Sequence, residues 1–528
     1  MSPGTASRDA RLIAAGTLGS RLTGLARVVV ASAVMGTGAL GGLYETTNRI
    51  PNFIFDLFAG GALQAVLIPA FVRAREADGE AGLRRLADAV SGAITMFLGV
   101  VVATGMAASP LIIRALTAAE PVGDVRNDKN NLGALFMVVF IPQVLCYGLA
   151  VVSSAVLAAR HRFVAAATAP AVNNVVAIVA YVVFWQMRGG KPPSLDLSAA
   201  EFGVLAGGTT LAVFAFASIP VWIAARSGGL GRPRLDRSVA GASGLHRAGT
   251  WAIVQVAGTL VVTIGAVILG NGTENGTGVF LWAQNFLWLP VGLVAAPLAT
   301  AVAPRLVQAL SAGPSGAEAG RRDAEGSLTL AAVALCLASA LLVGLGWPAA
   351  RLVAFGEAVN QGYAPLAHAL VAFGFGLLGT GLMFFIVRLM FAVDDARGAA
   401  VTTAILAVIG ILAMTVSADA AHSSERGAAL AVGFGIAHLV GAAIMIGRFS
   451  RQSGWIRLSR CARPLVAALV GGVVSGVVCL WVADQFPTSR PGALLAMVVA
   501  LPVTVSVFAL VMGVFGGRPL RSLIHWDA

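Results

Sequence analysis

Residues 20–36 read SRLTGLARVVVASAVMG, and this first long apolar segment contains two arginines, Arg21 and Arg27. An arginine at the centre of a membrane-spanning helix costs about 2.5 to 3.5 kcal/mol on insertion scales. Each arginine is roughly ten residues from one end of the predicted span, which is too deep for its side chain to reach the interface easily. Two such charges in one span therefore require either charged partners or a role in function.

The composition predicts an all-α integral membrane protein. Of 528 residues, 58% are hydrophobic and only 11% are charged, whereas soluble proteins carry about 25% charged residues. Apolar stretches recur along the whole chain at about 20 residues each, which favours helices over a β-barrel. The net charge of +12 would suggest nucleic acid for a soluble protein. Here loop arginines that orient a membrane protein explain it, so we expect no nucleic-acid partner.

Turn signals divide the chain into about fourteen predicted transmembrane helices. Basic residues concentrate in alternate loops by about three to one, which predicts that both termini lie on the cytoplasmic side. The predicted helices lie near 11–38, 43–74, 86–116, 131–158, 163–187, 201–225, 246–270, 278–309, 327–355, 364–391, 398–418, 427–447, 462–484 and 491–516.

Two groups of six predicted helices begin on the same side of the membrane, which predicts two parallel repeats. A short internal match between GALQAVLIPAFVRA (61–74) and APLATAVAPRLVQA (296–309) favours this interpretation, with chance similarity between amphipathic helix ends as the alternative. The predicted domains are an N-terminal lobe at 1–225, a basic cytoplasmic linker at 226–245, a C-terminal lobe at 246–447, and two further helices with a cytoplasmic tail at 448–528.

The second predicted helix begins with LYETTNRIPNFIFDLFAGG (43–61), which adds Glu45, Arg49 and Asp56 to the charges at membrane depth. Glu45 and Arg49 are four residues apart, so they can pair on one helical face. Pro51 has no backbone N–H, and we expect the helix to bend there. Irregular backbone within the membrane is tolerated only where it is buried in protein or lines a watery cavity.

These charges allow two interpretations. In the first, Glu45 and Arg49 lie at the outer interface while Arg21 and Arg27 brace neighbouring helices. In the second, the arginines line a cationic cavity that receives an anionic substrate, which is the usual meaning of ionisable residues inside a membrane. Three planar guanidinium groups suit the oxygens of a phosphate or diphosphate, so a lipid-linked diphosphate is a chemically suitable cargo.

Other chemistry-bearing patterns are absent from the sequence. It contains no nucleotide-binding loop, no metal-ligand spacing, and no Ser/His/Asp or Cys/His set. The four cysteines have no paired spacing, so we expect no disulfide and no metal site. These observations predict a transporter without a catalytic site or cofactor, and they leave open whether Na⁺, H⁺ or the membrane potential drives it.

Several stretches resemble the lipid II flippases of the MurJ/MviN family, which belong to the superfamily of multidrug, oligosaccharidyl-lipid and polysaccharide exporters. The first is SRLTGLARVVVASAVMG (20–36), and the others are RIPNFIFDLFAGGALQAVLIPAFV (49–72), RFVAAATAPAVNN (162–174) and LWLPVGLVAAPLATAVAPRL (287–306). The resemblance implies two lobes around a central cationic cavity, with the last two helices shaping a groove for a polyprenyl tail.

The resemblance also implies the function. A family member moves lipid II, an undecaprenyl-diphosphate-linked glycan, from the inner to the outer leaflet by alternating access, for peptidoglycan synthesis and cell shape. The implied location is a bacterial cell membrane. The implied partners are membrane lipids and proteins of cell-wall synthesis or division.

The resemblance assigns candidate site residues. Arg21 and Arg27 match the paired arginines of the family's first helix, and Arg49 matches a basic position before a Pro-Asn pair. With Asp56 and Glu45, these arginines are the predicted substrate-binding residues. The predicted gating or structural residues are Gly24, Pro51, Asn52, Pro69 and Asn285.

The sequence departs from the family pattern at several charged positions. Val28 and Gly42 stand at or near positions that are usually acidic, and Gly60 replaces a glutamate. Phe55 and Asn285 replace arginines. Asp56 and Glu45 are candidates for displaced acids. The departures leave three alternatives: lipid II transport with fewer arginines, export of another lipid-linked glycan or amphiphile, or a non-transporting scaffold of the cell-wall machinery.

Overall fold

The computed structural model describes residues 3–59, 62–162, 164–235, 245–360 and 362–516, and these residues form helices without any β-strand. The chain divides into two compact units: Met1–Val256 with Phe355–Ala358, and Ala257–Ala354 with Val359–Ala528. The division between the units falls inside a helix, downstream of the predicted linker. The four predicted domains and their boundaries at 225, 245 and 447 stay a prediction.

The N-terminal unit is built from nine helices and the start of a tenth. A π-helical turn at Gly203–Gly207 joins the eighth helix to the ninth without a break in the chain direction. The nine helices are α1 Pro3–Met35, α2 Ala39–Ala59, α3 Ala62–Ala107, α4 Ser109–Leu116, α5 Asp124–Phe140, α6 Gln143–Ala159, α7 Val164–Arg188, α8 Ala199–Phe202 and α9 Gly208–Arg226.

The described residues of the predicted helix at 43–74 belong to two helices, and residues 60–61 between them lie outside the described residues. The first is α2, which starts earlier than predicted, and the second is α3. α3 then continues through the predicted cytoplasmic loop, where Asp78 and Gly79 leave helical geometry. The φ angle of Gly79 is +66°, a left-handed value that glycine adopts without a steric penalty, so the chain turns sharply there.

The C-terminal unit contains the remaining helices. Its core includes the rings of Phe280, Phe373 and Phe434, which lie 5.2 to 5.9 Å apart by their centroids. The helices are α10 Leu245–Gly270, which spans the division, α11 Gly276–Pro290, α12 Ala296–Ser311, α13 Pro314–Val353, α14 Glu357–Asn360, which also spans the division, α15 Ala364–Ala392, α16 Ala396–Ala420, α17 Arg426–Arg448, α18 Leu458–Asp484 and α19 Arg490–Phe515.

The last two helices pack against the C-terminal unit through α13. Cys336 of α13 belongs to a buried cluster with Phe508 and Met512 of α19. Cys479 of α18 is fully buried in a second cluster at the other end. These cysteines therefore act as small apolar residues in helix packing.

Twelve helical segments of the described residues are long and apolar enough to span a membrane. In order along the chain, they correspond to the third to fourteenth predicted helices. The chain is thus a multi-pass helical membrane protein. The side chains of α1 and α2 are described only in part, so the spanning role of these two helices stays a prediction, as does the orientation of the chain.

Candidate substrate-binding site

Three of the predicted charged residues meet in the N-terminal unit. Glu45 of α2 lies one turn before Arg49, and its Oε2 atom is 3.8 Å from Arg49 Nε. The side chains of Arg49 and Glu45 are only 15% and 11% exposed. The Arg27 guanidinium on α1 also interacts electrostatically with Glu45. Among these three residues, one carboxylate lies near two guanidinium groups.

Arg27 has an unused hydrogen-bond donor. Its Nε atom is buried and has no hydrogen-bond partner among the described residues. Buried polar atoms in folded proteins nearly always have a partner, so each exception needs an explanation such as a missing ligand or water. An oxygen atom of an anionic ligand would satisfy this N–H group.

Tyrosine hydroxyls surround the same site. The Tyr44 hydroxyl is 2.8 Å from the Tyr181 hydroxyl and 2.7 Å from Thr209 Oγ1, and all three residues are buried. Tyr181 forms a side-chain hydrogen bond with Arg27, and Tyr44 and Tyr147 lie near the guanidinium. The network joins α2, α7 and α9 and holds polar groups around the guanidinium in a fixed arrangement.

Asn174 fixes the position of α1 on α7. Its Nδ2 atom donates to the Ser20 carbonyl and to Thr23 Oγ1, each at 3.2 Å. Gly24 faces the same amide, because a Cβ atom at this position would lie 3.5 Å from Asn174 Nδ2. This contact lies one turn before Arg27, so it helps to set the depth and rotation of the arginine.

α2 continues through Pro51 to Ala59, so the proline does not end the helix. The neighbouring Asn52 donates from its side-chain Nδ2 to the Asn48 carbonyl at 2.8 Å. The carbonyl that Pro51 leaves without a backbone donor is that of Thr47, so the Asn52 amide adds a local hydrogen bond one residue further along and does not replace the missing one. Pro51 and Asn52 therefore have a local structural role in α2, and their gating role stays a prediction.

The other predicted site residues differ in their local surroundings. Arg21 is exposed and makes no hydrogen bond or ion pair with the described residues. Pro69 is exposed on α3. Asn285 belongs to the C-terminal unit, where its Nδ2 atom donates to the Leu281 carbonyl at 3.0 Å. The side chains of Asp56 and Phe55, as well as Gly60, lie outside the described residues.

Position 28 and Glu45 together explain part of the departure from the family charge pattern. Val28 is a buried apolar residue, 9% exposed, and offers no charge to the adjacent Arg27. Glu45, on a different helix, interacts with Arg27 and Arg49 instead. The arrangement can bind an anion through two guanidinium groups and nearby hydroxyls, with one carboxylate that limits the positive potential.

The tyrosine network was missing from the sequence prediction. Tyr44 directly precedes Glu45, and the chain has only four tyrosines, of which three lie around Arg27. The small number of tyrosines could therefore have marked Tyr44 as a candidate site residue. The rotation of α7 and α9 about their own axes could not be predicted from the sequence. Their apolar faces are too uniform to indicate which residue of each helix points at α2.

Comparisons with known proteins agree on one family. A family model described as lipid II flippase MurJ matches residues 31–500. A probable lipid II flippase MurJ of Rhizobium meliloti is 27% identical over 524 residues, covering 96% of this chain and 93% of the relative. One from Rhizobium tropici is 28% identical over 530 residues, covering 96% and 94%.

Solved structures show the same fold. A lipid II flippase MurJ in an inward closed conformation aligns with a TM-score of 0.74 at 15% identity, covering 97% of this chain and all of that one (100%). An inward-facing multidrug transporter of the MATE family aligns with a TM-score of 0.61 at 16% identity, covering 83% and 95%. The matched range 31–500 includes Glu45 and Arg49 but begins after Arg27, so the assignment of Arg27 rests on its surroundings in the structure.

Proposed function

Since the chain belongs to the family of lipid II flippases MurJ, we propose that it carries lipid II from the inner to the outer leaflet of a bacterial cell membrane. The observation that carries the site assignment is Arg27, whose buried Nε has no hydrogen-bond partner among the described residues although Glu45 and three tyrosines lie nearby. The protein acts as a transporter without a catalytic step, and the cargo crosses unchanged.

The cluster of Arg27, Glu45 and Arg49 binds the diphosphate of the cargo. Guanidinium groups form paired hydrogen bonds with phosphate oxygens, and these bonds are stronger than neutral ones. Glu45 keeps the two guanidinium groups correctly oriented while the site is empty. It also prevents binding so tight that the lipid could not leave, because transport requires release on the far side.

Alternating access requires two states of the protein that differ in their affinity for the cargo. A site with net positive charge responds to the membrane potential, which is worth about 2.3 kcal/mol per charge per 100 mV. The energy source is therefore Na⁺, H⁺ or the potential itself. Vesicles in which each of the three gradients is collapsed separately identify which one supports transport.

The proposal is tested in a bacterium depleted of its own lipid II flippase. We expect the wild-type chain to restore growth and Arg27→Ala to fail at equal membrane abundance. Arg114→Ala is the matched control, because Arg114 is an exposed arginine of the same unit and has no ion pair among the described residues. Arg21→Ala tests the second arginine of α1 in the same experiment.

Two outcomes would contradict the proposal. Failure of the correctly inserted wild-type chain to restore growth would remove lipid II as the cargo in that host. Full rescue by Arg27→Ala would leave the family assignment intact but would remove Arg27 from the substrate site.

A further inference from the structure

A second cluster of arginines lines a cavity of about 690 Å³ in the N-terminal unit, away from Arg27. The cavity lies where the end of α6, the end of α9 and the turn within α3 meet. The sequence predicts that all three segments face the cytoplasm, because their loops are rich in arginine. We call this cavity the basic pocket, and its charged or aromatic lining residues are Arg75, Glu80, Arg160, Arg162, Trp222 and Arg226.

Hydrogen bonds between the three segments hold the pocket in shape. Glu80 accepts from Arg75 Nε at 2.7 Å and also from Arg160. Arg160 Nη1 donates to the Ser227 carbonyl at 2.8 Å and to the Ser227 hydroxyl at 2.7 Å. Arg75 Nη1 donates to the Ala159 carbonyl at 3.2 Å. These bonds order part of the pocket lining before any ligand arrives, which reduces the entropy cost of binding.

The positive charge in the basic pocket is only partly neutralised. Four arginines line it with a single carboxylate, Glu80. Arg162 and Arg226 have no ion pair among the residues that the structure describes, and Arg226 lies over the Trp222 ring at 4.7 Å. The side chain of Arg160 is only 9% exposed, and its buried Nε atom has no hydrogen-bond partner among the described residues. An uncompensated positive cavity with a spare donor fits a phosphate group.

The rim of the pocket indicates which phosphate it binds. The Trp222 side chain is 57% exposed next to the charged lining. Exposed tryptophans at the end of a membrane helix lie at the level of the lipid headgroups. The pocket therefore opens towards headgroups of the leaflet on its own side, and basic pockets of this kind bind anionic headgroups.

We propose that the basic pocket binds the phosphate headgroup of an anionic glycerophospholipid in the cytoplasmic leaflet. The lipid phosphate contacts Arg160, Arg162 and Arg226, and its acyl chains run along the apolar surface beside Trp222. This site is separate from the Arg27 cluster, and its test does not depend on transport activity.

The test measures lipid binding to the purified full-length chain in detergent by native mass spectrometry. The probes are dioleoylphosphatidylglycerol, which is anionic, and dioleoylphosphatidylcholine, which is zwitterionic. We expect the Arg162→Gln/Arg226→Gln double variant to bind phosphatidylglycerol about 25-fold more weakly, or about fivefold for each lost arginine. Neither side chain has a hydrogen bond to another described side chain, so we expect the variant to fold.

The matched control is Arg232→Gln/Arg234→Gln, which removes two exposed arginines from the same face but outside the pocket. We expect it to bind phosphatidylglycerol as the wild type does. We expect Arg162→Lys/Arg226→Lys to recover most of the affinity, because the positive charges are retained.

Each contrary result overturns the proposal. Equal weakening in the pocket variant and the control would mean that general surface charge attracts the lipid. Equal binding of both lipids by the wild type would exclude headgroup recognition. Displacement of phosphatidylglycerol by millimolar inorganic phosphate would assign the pocket to a free phosphate instead of a lipid.

Discussion

Replacing Glu45 with glutamine tests the charge balance of the proposed site, because it changes stability and affinity in opposite directions. The substitution keeps the shape of the side chain and removes the carboxylate charge that is 3.8 Å from Arg49 Nε. Breaking a buried ion pair costs about 3 to 5 kcal/mol, because the remaining charge is left uncompensated. Since this pair is long and slightly exposed, and since Arg49 keeps a further interaction, we expect a loss at or below the lower end, about 2 to 3 kcal/mol.

The same substitution strengthens binding of an anionic cargo. A carboxylate about 8 Å from a diphosphate charge repels it by about 2 kcal/mol at an effective dielectric constant of 20. Allowing for partial screening by the neighbouring arginines, we expect about 1 kcal/mol, which is about fivefold tighter binding. Thermal unfolding of the purified protein and titration with lipid II measure the two quantities on the same sample.

The matched control is Glu120→Gln in the same unit. Glu120 Oε2 lies 2.5 Å from Lys129 Nζ, and both side chains are buried at 7% and 3% exposure. We expect this variant to lose at least as much stability as Glu45→Gln and to bind lipid II with unchanged affinity. If Glu45→Gln weakens lipid II binding, or if both variants change affinity equally, the reasoning about the Arg27–Glu45–Arg49 cluster is wrong.

Three further predictions concern the packing of the helices. Asn174→Ala removes two hydrogen bonds between α7 and α1, which are worth about 0.6 kcal/mol each. We expect the packing of α1 on α7 to lose about 1 kcal/mol and α1 to be proteolysed faster. Unchanged proteolysis would contradict this prediction. Tyr44→Phe deletes a buried hydroxyl with partners at 2.8 and 2.7 Å, and we expect thermal unfolding to show a loss of about 1 to 2 kcal/mol. Gly376→Val places atoms where a Cβ would already be 2.6 Å from Gly435 Cα, so we expect about 1 to 3 kcal/mol of destabilisation in the C-terminal unit, and a wild-type melting profile would refute this contact.

The helical membrane fold could be predicted from the sequence because the hydropathy of a segment depends only on the residues of that segment. Every helix that crosses a bilayer must satisfy its own backbone hydrogen bonds and present apolar side chains, so composition alone marks it. The twelve segments that are long and apolar enough to span a membrane follow the predicted order. The pairing of Glu45 with Arg49 was equally accessible, since it depends only on their separation by one helical turn.

Contacts between distant segments could not be predicted. The network of Tyr44, Tyr181 and Thr209 depends on how three helices rotate about their axes, which a nearly uniform apolar surface does not reveal. The sequence did predict a loop at 73–85, and the structure has its turn there, at Asp78 and Gly79 within α3. Asn285 was interesting in the sequence because it replaces a family arginine, whereas in the structure its amide donates to the carbonyl of Leu281.

The most direct test of the central claim is transport of lipid II by the purified chain in sealed vesicles. The measurement follows the appearance of fluorescent lipid II in the opposite leaflet for wild type, Arg27→Gln and Arg114→Gln at equal protein density. We predict rapid transfer by the wild type and by Arg114→Gln, and at least tenfold slower transfer by Arg27→Gln, since removing a charged hydrogen-bond partner from a buried anion costs at least about 1.4 kcal/mol. No transfer above protein-free vesicles by the wild type, or equal transfer by all three proteins, would contradict the account.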